Sequence, residues 1–306
     1  ECGPVETGGP VGDDVEAVAR GGPSGARVLL PTFLGIGVPK AATTWLHGLL
    51  SSHPDVLMAQ GPKAVHFFDL HFDKGVEWYA EFFPARPGAP PLAVGDFTPH
   101  YLYEPACPAR IKATVPADRF LLILRNPVAR LESHYRFRQR QDGYTGSFDD
   151  FQRDYPKAVD WCRYAHHLRP WLDHFEPSQF CVLLQEEAGR DIEATKQTLA
   201  GFLGVDADRF PPDAGQHVAN DSFVPKRRRL YAVAVAQARF LRARGLGRVV
   251  AAGKKSGLAR RVSSRRSAAG PRLDADTRER LWEWFADDVA ELERTLGRSL
   301  DRWRSG

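Results

Sequence analysis

Two stretches of the chain bring basic and hydroxyl side chains to places where backbone dipoles can join them. In Gly37-Val38-Pro39-Lys40-Ala41-Ala42-Thr43-Thr44-Trp45, an apolar run ending in glycine gives way to residues with helical spacing. A strand-to-helix turn of this kind offers free backbone N–H groups and the positive end of a helix dipole to an anion. Lys40 adds a point charge, and Thr43 and Thr44 add hydroxyl donors. The second stretch runs from Phe120-Leu121-Leu122-Ile123-Leu124 into Arg125-Asn126-Pro127, and on to Ser133. Arg125 falls at the carboxyl end of an apolar strand, Pro127 pre-sets a helix start, and Ser133 lies two turns along that helix. An arginine fork with a hydroxyl suits a phosphate group. Taken singly, each stretch also reads as ordinary structure: a solvated lysine with threonine caps, or a surface arginine with a helix serine. A nucleoside triphosphate loop, G-x-x-x-x-G-K-[S/T], fits poorly, because Lys40 comes too early and the second glycine is missing.

The elements that must position these residues follow from hydrophobic period. Short apolar runs at 27–37, 92–95, 119–124 and 180–184 alternate with helical spacing near 43–50, 74–83, 104–114, 127–140, 161–175 and 191–203. Strands that are apolar throughout, alternating with helices, predict an α/β fold: a mainly parallel sheet with helices on both faces, its ligand at the carboxyl ends of the strands. The C-terminal part reads as helix over 224–244 and again from Asp274 to Leu296. Residues 1–26, rich in Gly and Pro, read as a flexible tail, which leaves 27–306 as a single domain.

Composition narrows the class. With 306 residues, 43% of them hydrophobic, the chain can bury a full core, and no apolar run approaches the roughly 20 residues that span a bilayer. Cys2, Cys107, Cys162 and Cys181 are too scattered for a zinc site or a disulfide framework, so a reducing cytoplasm is the expected setting. The chain begins at Glu1 and holds one methionine, Met58, as expected of a piece of something longer. The net charge of +4 hides an uneven distribution. Between Asp221 and Asp274 there are fifteen basic residues, Arg227 and Arg265 among them, and no acidic one, so the remainder carries −11. Within that segment, residues 253–270 read as a mobile basic loop. Something anionic is expected to meet it.

Taken together and in this order, the stretches resemble the PAPS-dependent sulfotransferases, most closely the branch of heparan sulfate N- and O-sulfotransferases and their bacterial relatives. Gly37-x-x-Lys40-x-x-Thr43-Thr44 matches that family's 5′-phosphosulfate loop, and Arg125-Asn-Pro-x-x-Arg-x-x-Ser133-His-Tyr its 3′-phosphate element. The likeness continues through Ser52-His-Pro-Asp-Val56, Lys63-Ala64-Val65-His66-Phe67-Phe68-Asp69, Gly95-Asp96-Phe97-Thr98-Pro99-His100-Tyr101-Leu102 and the terminal 292–303 segment. The resemblance implies a P-loop-like, nucleotide-kinase-like fold that transfers a sulfuryl group from PAPS and releases PAP, with no metal. It places Pro39, Lys40, Ala41, Ala42, Thr43, Thr44, Trp45, Arg125 and Ser133 around the donor. Arg227 and Arg265 join them from the late basic segment, which in the family closes over the 3′-phosphate.

One departure bears on the chemistry. The family carries glutamate as general base where this chain has Ala64, and a methyl group accepts no proton. His66 and Asp69 match residues that the resemblance places in the acceptor site, and His66 is the best substitute, since its ordinary pKa lies near working pH, with His100 as a second candidate. The alternative is a catalytically dead homologue that keeps affinity for PAPS or PAP. Phe97 also stands where relatives often have lysine. Phe67, Phe68, Trp78 and Tyr101 read as packing rather than substrate stacking. Arginine outnumbers lysine 33 to 9, a bias expected of a GC-rich bacterial gene, and the acceptor expected is a hydroxyl of a glycan or small natural product, with an amine second. A nucleic-acid-binding role for residues 226–272 is the weakest reading, because only Tyr231 and Phe240 interleave its charges.

Overall fold

The computed structural model describes residues 28–85, 87–216 and 273–304, with the backbone of the short ladders Val18–Ala19, Val224–Pro225 and Ser263–Ser264. The contacts group into two compact units. One comprises Glu1–Arg125, Ala165–His217 and Thr295–Gly297; the other comprises Asn126–Tyr164, Val218–Arg294 and Arg298–Gly306.

The first unit is built on a five-stranded sheet. Its strands are β1 (Phe33–Gly37), β2 (Val56–Met58), β3 (Ala93–Phe97), β4 (Arg119–Leu124) and β5 (Phe180–Leu184). They are ordered β2-β3-β1-β4-β5, and every pairing is parallel. β1 therefore lies between β3 and β4, and the turns leaving β1 and β4 emerge side by side at the carboxyl edge. The apolar run expected at 27–37 is divided: Val28–Leu29 pairs antiparallel with Val18–Ala19, and β1 starts only after Pro31, which has no N–H to donate to a ladder. β2 carries no periodic signal, being only three residues long.

Helices α1 (Thr43–Ser52), α2 (Phe67–Leu70), α3 (Gly75–Ala80) and α4 (Cys107–Thr114) connect or follow these strands. On one sheet face Phe33, Leu121 and Ile123 pack with Leu46 and Leu49 of α1 and with Leu199 further along the chain. On the other face Phe120 meets Trp171 and Phe175, with ring centroids 5.3 and 4.4 Å apart. Both faces are thus covered, as continuous apolar strands require.

β1 and β3 interlock through reciprocal glycine–phenylalanine pairs. Phe33 lies opposite Gly95 and Gly35 opposite Phe97 in the parallel register. A Cβ placed on Gly95 would come within 2.1 Å of the Phe33 ring, and one on Gly35 within 2.3 Å of the Phe97 ring, too close for either to fit. Phe97, fully buried, is thereby a packing residue.

The second unit is mainly helical in its described part. It holds α5 (Pro127–Gln141), α6 (Phe148–Asp154), α7 (Pro156–Asp160) and the start of α8 (Tyr164–Leu172), which continues in the first unit. The first unit adds α9 (Gln185–Ala188) and α10 (Ile192–Leu203), and the long α11 (Ala275–Leu296) falls mainly in the helical unit. Asn126 caps α5 by accepting from Ala129 N–H at 2.9 Å, while its amide donates to the Trp303 carbonyl. Glu132 is buried and receives Arg136, Arg278 at 3.8 Å and the Leu273 N–H at 3.1 Å, tying the start of α11 to α5.

The tail expected at 1–26 lies outside the described residues apart from the Val18–Ala19 backbone. So do the helix expected at 224–244 and the loop at 253–270, except that Val224–Pro225 pairs antiparallel with Ser263–Ser264.

Overpacking a closed strand interface costs about 1–3 kcal/mol, so Gly95→Ala should lower Tm by roughly 3 °C or more. Gly48→Ala on α1, where an added Cβ meets nothing within 4 Å, should leave Tm unchanged or raise it. Thermal unfolding of both variants checks this, and equal Tm values would remove the interlock from the account.

Candidate active site

The turn after β1 changes hand twice. Lys40 (φ 75°) and Ala42 (φ 64°) are left-handed, with Ala41 between them fully buried. Non-glycine residues adopt this region at a cost of about 1 kcal/mol each, and they concentrate where surrounding structure enforces them. Ala42 is the N-cap of α1 and supplies no side-chain cap, so the first N–H groups of the helix are left for another acceptor. The Val38 N–H donates to the Ile123 carbonyl at 3.1 Å, which fixes the turn to β4. Arg125, at the end of β4, donates to the Lys40 carbonyl at 3.3 Å. The two stretches singled out in the sequence thus meet at Lys40 and Arg125.

Lys63 was not assigned a role from the sequence. It lies in the loop beyond β2, and its Nζ donates to Thr43 Oγ1 at 3.1 Å and to Thr44 Oγ1 at 2.9 Å. Its ammonium therefore stands at the positive end of α1. Burial lowers its pKa to about 8. Burial first, and the Lys63 charge second, push His47, one turn into α1, down to about 4. A cation held beside a helix N-terminus and two hydroxyls forms a pocket that asks for negative charge. The contact spans about twenty residues, so no local spacing reveals it; the available signal is that loops at the carboxyl edge of a parallel sheet converge.

Not every residue expected at the donor faces it alone. Trp45 is buried in the core below α1 and donates its indole N–H to the Gly215 carbonyl at 2.7 Å. Pro39 and Lys40 are half-buried in the turn, Thr43 is buried and Thr44 exposed. Ser133 is half-buried on α5, in the helical unit. Arg227 and Arg265 lie outside the described residues.

Of the residues expected at the acceptor, His66 is the left-handed N-cap of α2, with φ 58° and ψ 36°. Its Nδ1 lies 2.8 Å from Asp69 Oδ2, and the imidazole is 29% exposed against 8% for the carboxylate. The hydrogen bond to Asp69 is the main cause of an upward pKa shift at His66; burial opposes it. The His100 ring lies 5.5 Å away, centroid to centroid. Beneath them Asp96 is fully buried and accepts from the hydroxyls of Tyr79 (3.1 Å), Thr98 (3.1 Å) and Tyr101 (2.7 Å). Burial raises its pKa to about 6. Phe67, Phe68 and Tyr101 are core residues, Phe67 stacking on Tyr79 at 4.4 Å. Among the described residues no group of three or more His, Cys, Asp or Glu side chains could hold a metal, and no helix is long and apolar enough to cross a membrane.

An open parallel sheet with basic and hydroxyl side chains at its central carboxyl edge defines an α/β protein whose first strand-to-helix turn favours an anion. The chain belongs to the sulfotransferase family: residues 30–231 match the family described as the sulfotransferase domain. It is similar to human heparan sulfate glucosamine 3-O-sulfotransferase 3A1, 31% identical over 67% of this chain and 54% of that protein. It is also similar to bifunctional heparan sulfate N-deacetylase/N-sulfotransferase 1 of Xenopus laevis, 26% identical over 89% of this chain and 31% of that protein. The chain thus spans about half or less of the length of these relatives. A sulfotransferase structure from Alicyclobacillus acidocaldarius shares the fold, with a TM-score of 0.63 and 24% identity over 90% of this chain and all of that one.

The depressed Lys63 pKa sets the sign of a stability change. Below about pH 8 the native and unfolded lysines are both protonated, and the burial penalty is fully present. Between about 8 and the ordinary 10.5 the unfolded chain binds the extra proton, so stability should rise with pH across that window. The Tm of the parent relative to Lys63→Met should therefore increase from pH 8 to 10.5; a pH-independent difference would show that the ammonium is not desolvated.

Proposed function

We propose that this chain transfers a sulfuryl group from PAPS to a hydroxyl of a glycan or small-molecule acceptor, an amine being the second choice, and releases PAP. The observation that carries the reading is the convergence of Lys40, Lys63, Thr43, Thr44 and Arg125 on the amino end of α1. These are the donors and charges that phosphate oxygens require, and a half-buried lysine at the positive end of a helix gains most from such an anion. PAPS, when bound, supplies the sulfuryl group, and its bond to the 5′-phosphate oxygen breaks as the bond to the acceptor oxygen forms. Lys40 and Lys63 then offset the charge left on the phosphate, and Arg125 holds the far phosphate.

The acceptor proton needs a base, and Ala64 provides none. With Nδ1–H donated to Asp69, neutral His66 carries its lone pair on Nε2, which takes that proton. A specific feature favours a second reading, a nucleotide-binding homologue without transfer activity: Ala64 itself.

PAP binding measured by calorimetry should weaken roughly 10- to 100-fold in Lys63→Met, as expected when a charge-assisted contact is lost. Absence of PAP binding by the parent would sink the donor site. Transfer from radiolabelled PAPS to a panel of hydroxyl acceptors tests the base. His66→Ala should lose about 100-fold or more. Because Asp69 raises the His66 pKa, the acid limb of the rate should lie above the ordinary 6.5 and move down in Asp69→Asn. An inactive parent that becomes active as Ala64→Glu would select the second reading.

A further inference from the structure

We infer that Thr98, oriented by Asp96 and seconded by Tyr101, is the positioning residue for His66: it holds the backbone that aims the imidazole at Asp69. This rests on the reading of His66 as the acceptor-side base.

The hydrogen bonds run in one direction. Asp96 is a pure acceptor when ionised, so the protons of the Thr98, Tyr101 and Tyr79 hydroxyls are committed to it. The oxygens of Thr98 and Tyr101 are thereby turned, lone pairs outward, toward three successive backbone N–H groups. Thr98 Oγ1 accepts from Val65 at 3.0 Å and from His66 at 3.3 Å, and Tyr101 Oη accepts from Phe67 at 3.0 Å. These N–H groups precede or open α2, a helix of only four residues, and they bracket the one residue there with positive φ.

A four-residue helix cannot hold such a conformation by its own cooperativity. The left-handed backbone of His66 costs about 1 kcal/mol, and the three anchored N–H groups offset it. With φ and ψ fixed, an imidazole at position 66 reaches a carboxylate three residues on, at 2.8 Å. The chain passes from a buried carboxylate through two hydroxyls and three N–H groups to one aimed ring, with no contact between Thr98 and the reacting atoms. The titratable groups that bear on the ring are Asp69, Asp96 and His100.

The test follows the His66 ring by NMR of histidine-labelled protein across pH, a readout that does not require transfer activity. In the parent the His66 midpoint should lie above that of an ordinary histidine. In Thr98→Val, which keeps the shape and removes the oxygen, it should fall toward that of an ordinary histidine as the Asp69 bond is lost. Thr98→Ser should restore the parental midpoint, and Tyr101→Phe should fall between. Parental midpoints in both folded Thr98→Val and Tyr101→Phe would overturn the proposal; if Thr98→Val does not fold, Tyr101→Phe decides. Transfer at the parental rate by His66→Ala would overturn the base reading alone, leaving the positioning result to stand or fall on the titration.

Discussion

The arrangement on which the site depends is an electrostatic conflict: a lysine ammonium held against the positive end of a helix, half out of water. Lys63 gains two hydroxyl contacts there, yet it opposes the dipole of α1, and burial takes its pKa down to about 8. Folding alone gives no reason for such a pairing, because the dipole would prefer an anion. A phosphate, as the proposed function requires, would relieve that conflict, and the free energy withheld in folding would then be available for binding. The sheet order makes this possible. Placing β1 between β3 and β4 brings the turn carrying Lys40 beside Arg125, and the short edge strand β2 delivers Lys63 to the same edge.

How much of this could be read from the sequence depends on the range of each interaction. The turn after β1 and the β4-to-α5 junction announce themselves locally, through a glycine, a lysine, paired threonines, and an arginine before Asn-Pro. Four of the five sheet strands show as apolar runs, because strands covered on both faces have no polar side to break the pattern. β2 does not, since three residues carry no period. Lys63 stands in the open in the sequence, but its partners are nineteen and twenty residues away, and only the parallel crossover brings them together. The same holds for Thr98, whose contacts with Val65 and His66 span more than thirty residues. Phe97 shows the reverse case: what reads as a changed charge beside the acceptor is, in the fold, a ring filling the space above Gly35.

Backbone strain marks the same places. The non-glycine residues with positive φ among those described are Lys40, Ala42 and His66, two in the turn after β1 and one at the start of α2. Each is over-determined by its neighbours: the turn by the Val38 bond to β4 and the Arg125 bond to Lys40, His66 by the hydroxyls that Asp96 orients. A looser chain would relax to right-handed backbone and lose the aim of both side chains. The fully buried carboxylate is tolerated because three hydroxyls satisfy it, which makes it a rigid reference point rather than a liability.

Ala64 acts on both halves of the proposed reaction at once. A glutamate there, as the resemblance implies for relatives, would supply a base and would also set a negative charge next in the chain to Lys63. Removing it leaves Lys63 with hydroxyl partners and no carboxylate among its described contacts. The cationic pocket is then less compensated before any ligand binds, and a polyanion such as PAP relieves more of the conflict than it would beside a glutamate. On the proposed reading, proton abstraction falls to His66, whose bond to Asp69 favours the protonated form, while the pocket around Lys63 keeps more of its positive charge for the spent donor. If that reading holds, the chemical step and product release should both be slow, for one and the same electrostatic reason.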